Sequence, residues 1–229
     1  MQNNPWDSYW EAEHFDIDIL AIGAQYFCEA YRRMIGLNSQ EIILDFGAGA
    51  GDVSIALAPK VKKCYVYDKS KRMQQILHMR TKAIANITVI DSLTELTPAP
   101  SVIILNTVIQ YLFPPELTAV IKQLRDIGQP HTMLLITDII PAHYSKITDL
   151  LEQTFFSIRS GFFLKFAHHV ASRILKAPSQ EMGCRTLERY DPSTLIEILT
   201  HAGFSAVVLK ENLLYSKQRY SIRADYHHS

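Results

Sequence analysis

The sequence predicts an α/β fold, built as a doubly wound parallel sheet with helices on both faces. Short apolar runs alternate with stretches of helical periodicity from residue 41 to residue 138, the pattern of strands joined by helical crossovers. The first run, Ile42-Ile43-Leu44, ends in Asp45 and enters glycines at alternate positions, Gly47, Gly49 and Gly51. A polar residue closes each of several later strands: Asp68, Asp91 and Asn106.

Each element follows from local chemistry. Residues 1–15 are aromatic and acidic, with Trp6, Tyr9, Trp10 and Phe15. From Asp16, an N-cap candidate, Ile19, Ile22, Tyr26, Ala30 and Met34 recur at helical spacing, and Gly36 is the expected stop. Strand 1 spans 41–46, and its helix spans 51–58, ended by Pro59. Strand 2 spans 63–67, and Ser70 caps a helix over 70–84. Strand 3 spans 87–90, and Pro98 and Pro100 mark a loop. Strand 4, at 102–105, is wholly apolar, as a strand covered on both faces should be. Pro114-Pro115 opens a helix to residue 127, and strand 5 spans 133–137 before Asp138. The alternation then pauses for two helical segments over 142–176, divided by Ser160-Gly161. Asp191-Pro192 starts a helix to His201, ended by Gly203. Strands 6 and 7 are expected over 204–210 and 218–224.

Composition narrows the class. The 229 residues suit one α/β domain with additions, and 48% of them are hydrophobic, enough for a sizeable core. Lysine and arginine number 23, and aspartate and glutamate also number 23. A general nucleic-acid binder carries a basic surplus, so no nucleic-acid partner is expected. Cys28, Cys64 and Cys184 lie far apart, which supports neither a disulfide framework nor a zinc knuckle and fits a reducing, cytoplasmic setting. The first residues, MQNNPWDSYWEAEHFD, are unlike a signal peptide. No run of about eighteen apolar residues occurs, so no spanning helix is expected.

Glycine serves where backbone turns with positive φ or where a ligand lies against it. The helix that follows the glycines points unpaired N–H groups at the same place. A dinucleotide turn needs a further glycine where Asp52 stands, and a phosphate loop needs a Gly-Lys-Ser/Thr that is missing here. Ligands of open α/β sheets bind beyond the carboxyl ends of the strands, so Asp45, Asp68, Asp91 and Asn106 are expected to line one crevice. Asp68 follows Asp45 by about twenty residues, the position of an acid that accepts from ribose hydroxyls. A plainer role stands beside each: a tight turn for the glycines, a turn residue for Asp68, a turn or cap for Asp91, a bonded strand end for Asn106.

The motif Asp45-x-Gly47-x-Gly49-x-Gly51, with Asp68, Asp91-Ser92 and the string Asn106-Thr107-Val108-Ile109-Gln110-Tyr111-Leu112, resembles the class I S-adenosylmethionine (SAM) dependent methyltransferases. The likeness covers about residues 15–138 in motifs and the rest in element order alone. It implies a Rossmann-like, seven-stranded, mostly parallel sheet with an antiparallel edge hairpin, and SAM as the cofactor. It implies cofactor contacts from Asp45, Gly47, Ala48, Gly49, Gly51, Asp68, Lys69, Asp91, Ser92 and Asn106. Asp45 would order the glycine loop near the cofactor's amino group. Asp68 would hold the ribose, Asp91 the adenine amine, and Asn106 would stand beside the methionine part. Gln110 and Tyr111 would face the substrate, with helix-start packing as the alternative. The leading helix would cover cofactor and substrate, or simply the sheet. One domain is expected over 1–229: a helical cap (1–38), a cofactor-binding core (39–138), a helical lid insertion (139–190) and a closing helix with edge strands (191–229).

A sulfonium makes its methyl electrophilic, so displacement depends on positioning rather than on a protein nucleophile. A hydroxyl acceptor must lose its proton, and a general base contributes about 10²–10⁴-fold. Histidines are the natural bases: His14, His143, His168 and His169. His143 comes first, because Asp138 and the loop after strand 5 should border the crevice. No paired histidines or clustered acids suggest a metal. In the insertion, Phe162, Phe163, Phe166, Val170 and Ile174 fall on one helical face, among the cations Arg159, Lys165, Arg173 and Lys176. A lid over an apolar or anionic substrate, a basic amphipathic helix on a membrane or partner, and a core-facing helix all fit. The lid reading makes Phe162 and Phe166 substrate contacts. The expected activity is methyl transfer to an oxygen or nitrogen of a small molecule, a secondary metabolite or a carrier-tethered intermediate. The alternative is a SAM-binding relative without transfer, serving as an interaction or regulatory subunit. The oligomeric state stays open.

Overall fold

The computed structural model describes residue 10, residues 17–175 and residues 186–226. Among these, strands β1 (Ile42–Phe46), β2 (Lys63–Tyr67), β3 (Ile87–Val89), β4 (Val102–Asn106), β5 (Met133–Ile139), β6 (Phe204–Val208) and β7 (Tyr220–Tyr226) form one sheet in the order β3-β2-β1-β4-β5-β7-β6. β1 to β5 run parallel, and β7 lies antiparallel between β5 and β6. The chain steps outward from β1 to β2 and β3, then returns to β4 on the other side of β1. The carboxyl ends of β1 and β4 therefore flank the switch point, where an open α/β sheet offers its crevice. This is the mostly parallel, Rossmann-like sheet with the antiparallel edge that the sequence led us to expect.

The helices are α1 (Ile17–Met34), α2 (Asp52–Leu57), α3 (Lys71–Thr81), α4 (Pro114–Ile127), α5 (Lys146–Arg159), α6 (Phe163–Leu175) and α7 (Pro192–His201). Successive strand residues point to opposite faces, and the sheet divides its core accordingly. Ile43, Cys64, Val66, Ile104 and Leu135 pack with Phe27 of α1 and Leu57 of α2. Leu44, Tyr65, Ile103, Leu105 and Leu134 pack with Ile121 of α4 and Leu199 of α7.

The helix boundaries have local causes. α1 stops at Gly36, whose φ of 88° takes the chain out of the helix. Ser70 caps α3 by accepting from the Met73 N–H at 3.2 Å. α4 opens on Pro114, and the Glu116 carboxylate accepts the Phe113 N–H at 2.9 Å. Gly161, with φ 76°, separates α5 from α6. Asp191 holds the N-cap position of α7, but its carboxylate accepts from the Ala142 N–H at 3.2 Å instead of capping the helix. Asp16 lies outside the described residues.

Several boundaries shift. α3 ends at Thr81 rather than at 84, because the Ile84 N–H turns back to the Thr81 carbonyl at 2.8 Å. β6 stops at Val208. β7 runs two residues later than expected, because Gln218 and Arg219 are held in the preceding loop by Ser145 and Asp138. β5 continues to Ile139 and takes in Asp138, which sits at φ 61° where the β5–β7 register shifts.

Candidate active site

The glycine turn is built as its spacing requires. Gly47, Gly49 and Gly51 all have positive φ. The Gly47 and Ala48 N–H groups donate to the Tyr67 carbonyl at the end of β2, at 2.8 and 3.0 Å. The Gly49 N–H donates to Asp68 Oδ2 at 2.8 Å, and Asp68 Oδ1 accepts the Ser70 N–H at 2.9 Å. One carboxylate thus ties the end of β1 to the end of β2. Exposed Lys69 stands between Asp68 and Ser70. A Cβ added to Gly51 would lie 2.7 Å from Leu77, whereas one at Gly49 would meet nothing within 4 Å. The backbone at Gly49 is therefore open to a ligand pressed against it.

Asp45 lies beneath this turn, 2% exposed, and accepts from the Ser54 hydroxyl at 2.7 Å. Burial pushes its carboxyl up to about 6, the Ser54 hydrogen bond opposes that, and the nearby Asp68 and Asp52 charges add to it. A cation placed nearby would favour its ionised form. Arg80 secures the turn from α3, donating to the Ala50 carbonyl and, at 2.9 Å, to Asp52. Ser54 and Arg80 were missed by the sequence reading, since helical spacing does not say which side chains reach back to a loop.

The other strand ends are arranged differently. Asp91 is exposed beyond β3, and the N–H groups of Asp91 and Ser92 both donate to Glu95 Oε1, at 3.0 and 2.8 Å. Ser92 is the cap of a short 3-10 turn at Leu93–Glu95. Those two N–H groups are therefore engaged within their own loop. Asn106 Oδ1 accepts from the Thr137 hydroxyl at 2.7 Å and locks the ends of β4 and β5. Thr107, just beyond, has φ 61°, an unusual turn for a β-branched residue and a sharp exit from β4.

Beyond that exit Gln110 is 2% exposed, and its Oε1 has no hydrogen-bond partner. Its own backbone carbonyl accepts the Glu188 N–H at 2.9 Å, which brings residues 186–190 alongside. Tyr111 meets Trp10 edge to face at 5.0 Å, and the Trp10 carbonyl lies 3.5 Å from the Ser70 hydroxyl. Trp10 therefore bridges the ends of β2 and β4, across the mouth of the switch point.

The other residues singled out by the sequence are held in different ways. Asp138 does not offer a free carboxylate to the crevice: it is buried, pairs with Arg219 and accepts from Asn212 Nδ2 at 3.2 Å. Arg219 also reaches Asp149 at 3.3 Å and the Tyr144 hydroxyl at 3.4 Å. Burial works against the Arg219 charge, and the Asp138 and Asp149 carboxylates outweigh it and hold the guanidinium above its ordinary range. His143 is exposed on the loop after β5, and no described carboxylate orients it. Phe162 and Phe166 are each 7% exposed, and Phe162 packs edge to face on Phe156 at 5.7 Å, so packing rather than an open substrate face engages Phe162. Phe163, expected on the same face, is instead 41% exposed. His168 is exposed on α6, while His14, Cys184, Lys176 and the side chains of His169, Arg173 and Ile174 fall outside the described residues. Among the described residues no acid, histidine or cysteine cluster could hold a metal, and no helix is long and apolar enough to cross a membrane.

Comparison with known proteins places this geometry. A family model described as a methyltransferase domain matches residues 20–209, most of the chain. No curated protein matches. Magnesium protoporphyrin IX methyltransferase from Synechocystis PCC 6803, solved with bound SAH, is 17% identical and superposes with a TM-score of 0.57, over 98% of this chain and 93% of that one. Human N-acetylserotonin methyltransferase, solved with SAM, is 14% identical with a TM-score of 0.60, over 90% of this chain and 52% of that one. N,N-8-amino-8-demethyl-D-riboflavin dimethyltransferase from Streptomyces davawensis is 14% identical with a TM-score of 0.62, over 93% of this chain and 57% of that one. The last two are about twice as long as the stretch this chain matches, and at these identities all three likenesses speak for the fold alone. The family model and the glycine turn at the β1/β4 switch point together identify the chain as a member of the class I methyltransferase-domain family, enzymes that take their methyl group from SAM.

Proposed function

We propose that the methyl acceptor is an oxygen or nitrogen atom of a small molecule, a secondary metabolite either free or tethered to a carrier. The observation that carries this reading is Gln110: a side-chain carbonyl buried beyond β4 without a donor. A buried acceptor left unpaired is costly, and a substrate hydroxyl or amine would satisfy it. Tyr111 and Trp10 would supply an aromatic wall for a compact acceptor. The names of the three solved relatives, which act on a porphyrin, an indole amine and a riboflavin derivative, support a small acceptor without naming it.

The cofactor-facing roles we assign rest on the family resemblance and are supported by the turn's geometry. Asp68, at the end of β2 beside the glycine turn, is the ribose-hydroxyl acceptor. Gly47, Ala48, Gly49 and Gly51 give a close backbone approach, with Lys69 at the rim. Asp45 holds the turn from below and favours a cationic ligand. Asp91 is the adenine-amine acceptor, with Ser92 fixing its loop, and Asn106 borders the methionine part. SAM supplies an activated methyl, so the chain's own work is to hold the acceptor in line and keep water out. His143 is the base when the acceptor is a hydroxyl. Trp10 and the inward face of the α5–α6 pair are the covers of the crevice.

The test is transfer of labelled methyl from SAM into a pool of small phenols, amines and carrier-bound acyl intermediates. Product mass raised by one methyl supports the reading. Label found only in protein or RNA overturns the small-molecule assignment, and cofactor binding without any transfer identifies a non-catalytic relative.

A further inference from the structure

Helix α5 is mounted with its polarity reversed. A surface helix ordinarily turns its apolar stripe inward and its charges to water. Here both acids point in. Asp149 is buried against Arg219, and Glu152 accepts from the Ser216 hydroxyl at 2.8 Å and the Lys217 N–H at 3.0 Å. Phe156 joins them, stacked on Tyr215 at 4.3 Å and edge to face with Tyr26 of α1 at 5.7 Å. The outward face carries Ile147, Leu150, Leu151, Phe155 and Ile158, at helical spacing. Ile147 is 75% exposed, Leu151 63% and Phe155 68%, and Leu164 at the start of α6 is 83% exposed. An apolar stripe of this length, held open by a polar anchor on its other side, marks a docking surface.

Charge says what docks. Lys146 and Arg159 stand exposed at the two ends of the stripe, and Lys165 is exposed on α6. Asp149 and Glu152 are the only acids between residues 146 and 175, and both are turned inward. Among the described residues of the hairpin, the surface is therefore apolar along its middle and cationic at its two ends, Lys146 and Arg159, with no outward carboxylate to pair a like-charged copy. A two-fold dimer through this face would bring the same cations together. We propose that the α5–α6 hairpin lies on an anionic lipid surface, its apolar side chains at the acyl boundary and its cations among the headgroups. This surface is the face of α5 turned away from the Arg219 anchor, and the inference does not depend on the methyl acceptor.

Sedimentation of the full chain with phosphatidylcholine vesicles, with and without phosphatidylglycerol, tests it. Binding is expected to the anionic vesicles and to weaken with added salt. The double variant Leu151→Glu/Phe155→Glu should lower partitioning about tenfold or more while SAM binding is retained. A second variant, Lys146→Gln/Arg159→Gln, leaves the stripe intact and should lose the preference for anionic over neutral vesicles. No binding by the wild-type chain, equal binding by the variants, or a dimer in ultracentrifugation that Leu151→Glu/Phe155→Glu dissociates without any vesicle binding would overturn the proposal.

Discussion

The Gly49 N–H and the Asp68 carboxylate meet at 2.8 Å, joining the turn after β1 to the end of β2. Asp68 therefore shapes the turn, and we propose that it also accepts from the ligand's ribose. Asp68→Ala should weaken SAM binding by roughly 1.5–3 kcal/mol for each hydrogen bond to the charged acceptor that is lost. Isothermal titration measures this, and unchanged affinity would remove Asp68 from the site.

The glycines separate fold from function. A Cβ at Gly51 meets Leu77 at 2.7 Å in a backbone of φ 81°, so Gly51→Ala should lower stability by about 1–3 kcal/mol. A Cβ at Gly49 meets nothing within 4 Å, so Gly49→Ala should cost only the about 1–2 kcal/mol of a left-handed alanine. Its larger effect should be on SAM affinity, because the methyl occupies the ligand's approach. Thermal melts beside titrations check both, and a Gly49→Ala protein with normal affinity would show that no ligand passes there.

Asp45 gives the protein a pH signature. Its carboxyl is raised from 3.8 to about 6, first by burial. Between those values the folded chain holds a proton that the unfolded chain has lost. The contribution of Asp45 to stability is thus full below 3.8 and declines as pH rises to about 6. Asp45→Asn cannot ionise, so its stability relative to wild type should rise across that window by an amount of order 1–3 kcal/mol. A cationic ligand favours the ionised form, so SAM affinity for the wild-type chain should increase with pH over the same range. Denaturation and titration at several pH values test both, and a flat difference would place the Asp45 titration elsewhere.

Legibility followed the range of the interaction. The glycine turn was readable because positive φ leaves its mark in residue identity, and the parallel sheet followed from alternation, whereas the antiparallel edge came only from the family resemblance. Thr107 and Asp138 adopt positive φ as ordinary L-residues, so nothing in their identity announced it. The Arg219–Asp138 pair joins residues 81 positions apart, beyond any local pattern. That pair, together with Arg219–Asp149, removed the acid expected beside His143. Periodicity gave an apolar face to the second inserted helix, α6, and was silent on which face of α5 is outward, because the Arg219 anchor decides that.

The anchor can be measured. Arg219→Ala leaves the Asp138 and Asp149 side chains, each 7% exposed, without their cation. Breaking one side of such a buried pair costs about 3–5 kcal/mol. Urea denaturation should show a loss of that size, and a loss under about 1 kcal/mol would mean that the pair is solvated.

His143→Ala should slow methylation of a hydroxyl by about 10²-fold or more, with SAM affinity unchanged. Steady-state rates with a hydroxyl acceptor check this. Equal turnover would mean that His143 is no base, and its exposure without a carboxylate partner would then be its ordinary surface state.

The crevice at the β1/β4 switch point is expected to bind SAM through the Gly49–Asp68 turn. Isothermal titration of the wild-type chain and of Asp68→Ala with SAM and with its demethylated product tests it most directly. Wild type should bind both ligands, and the variant should bind both about tenfold or more weakly. No heat with either ligand on the wild-type chain, or equal affinities for the two proteins, would contradict the account.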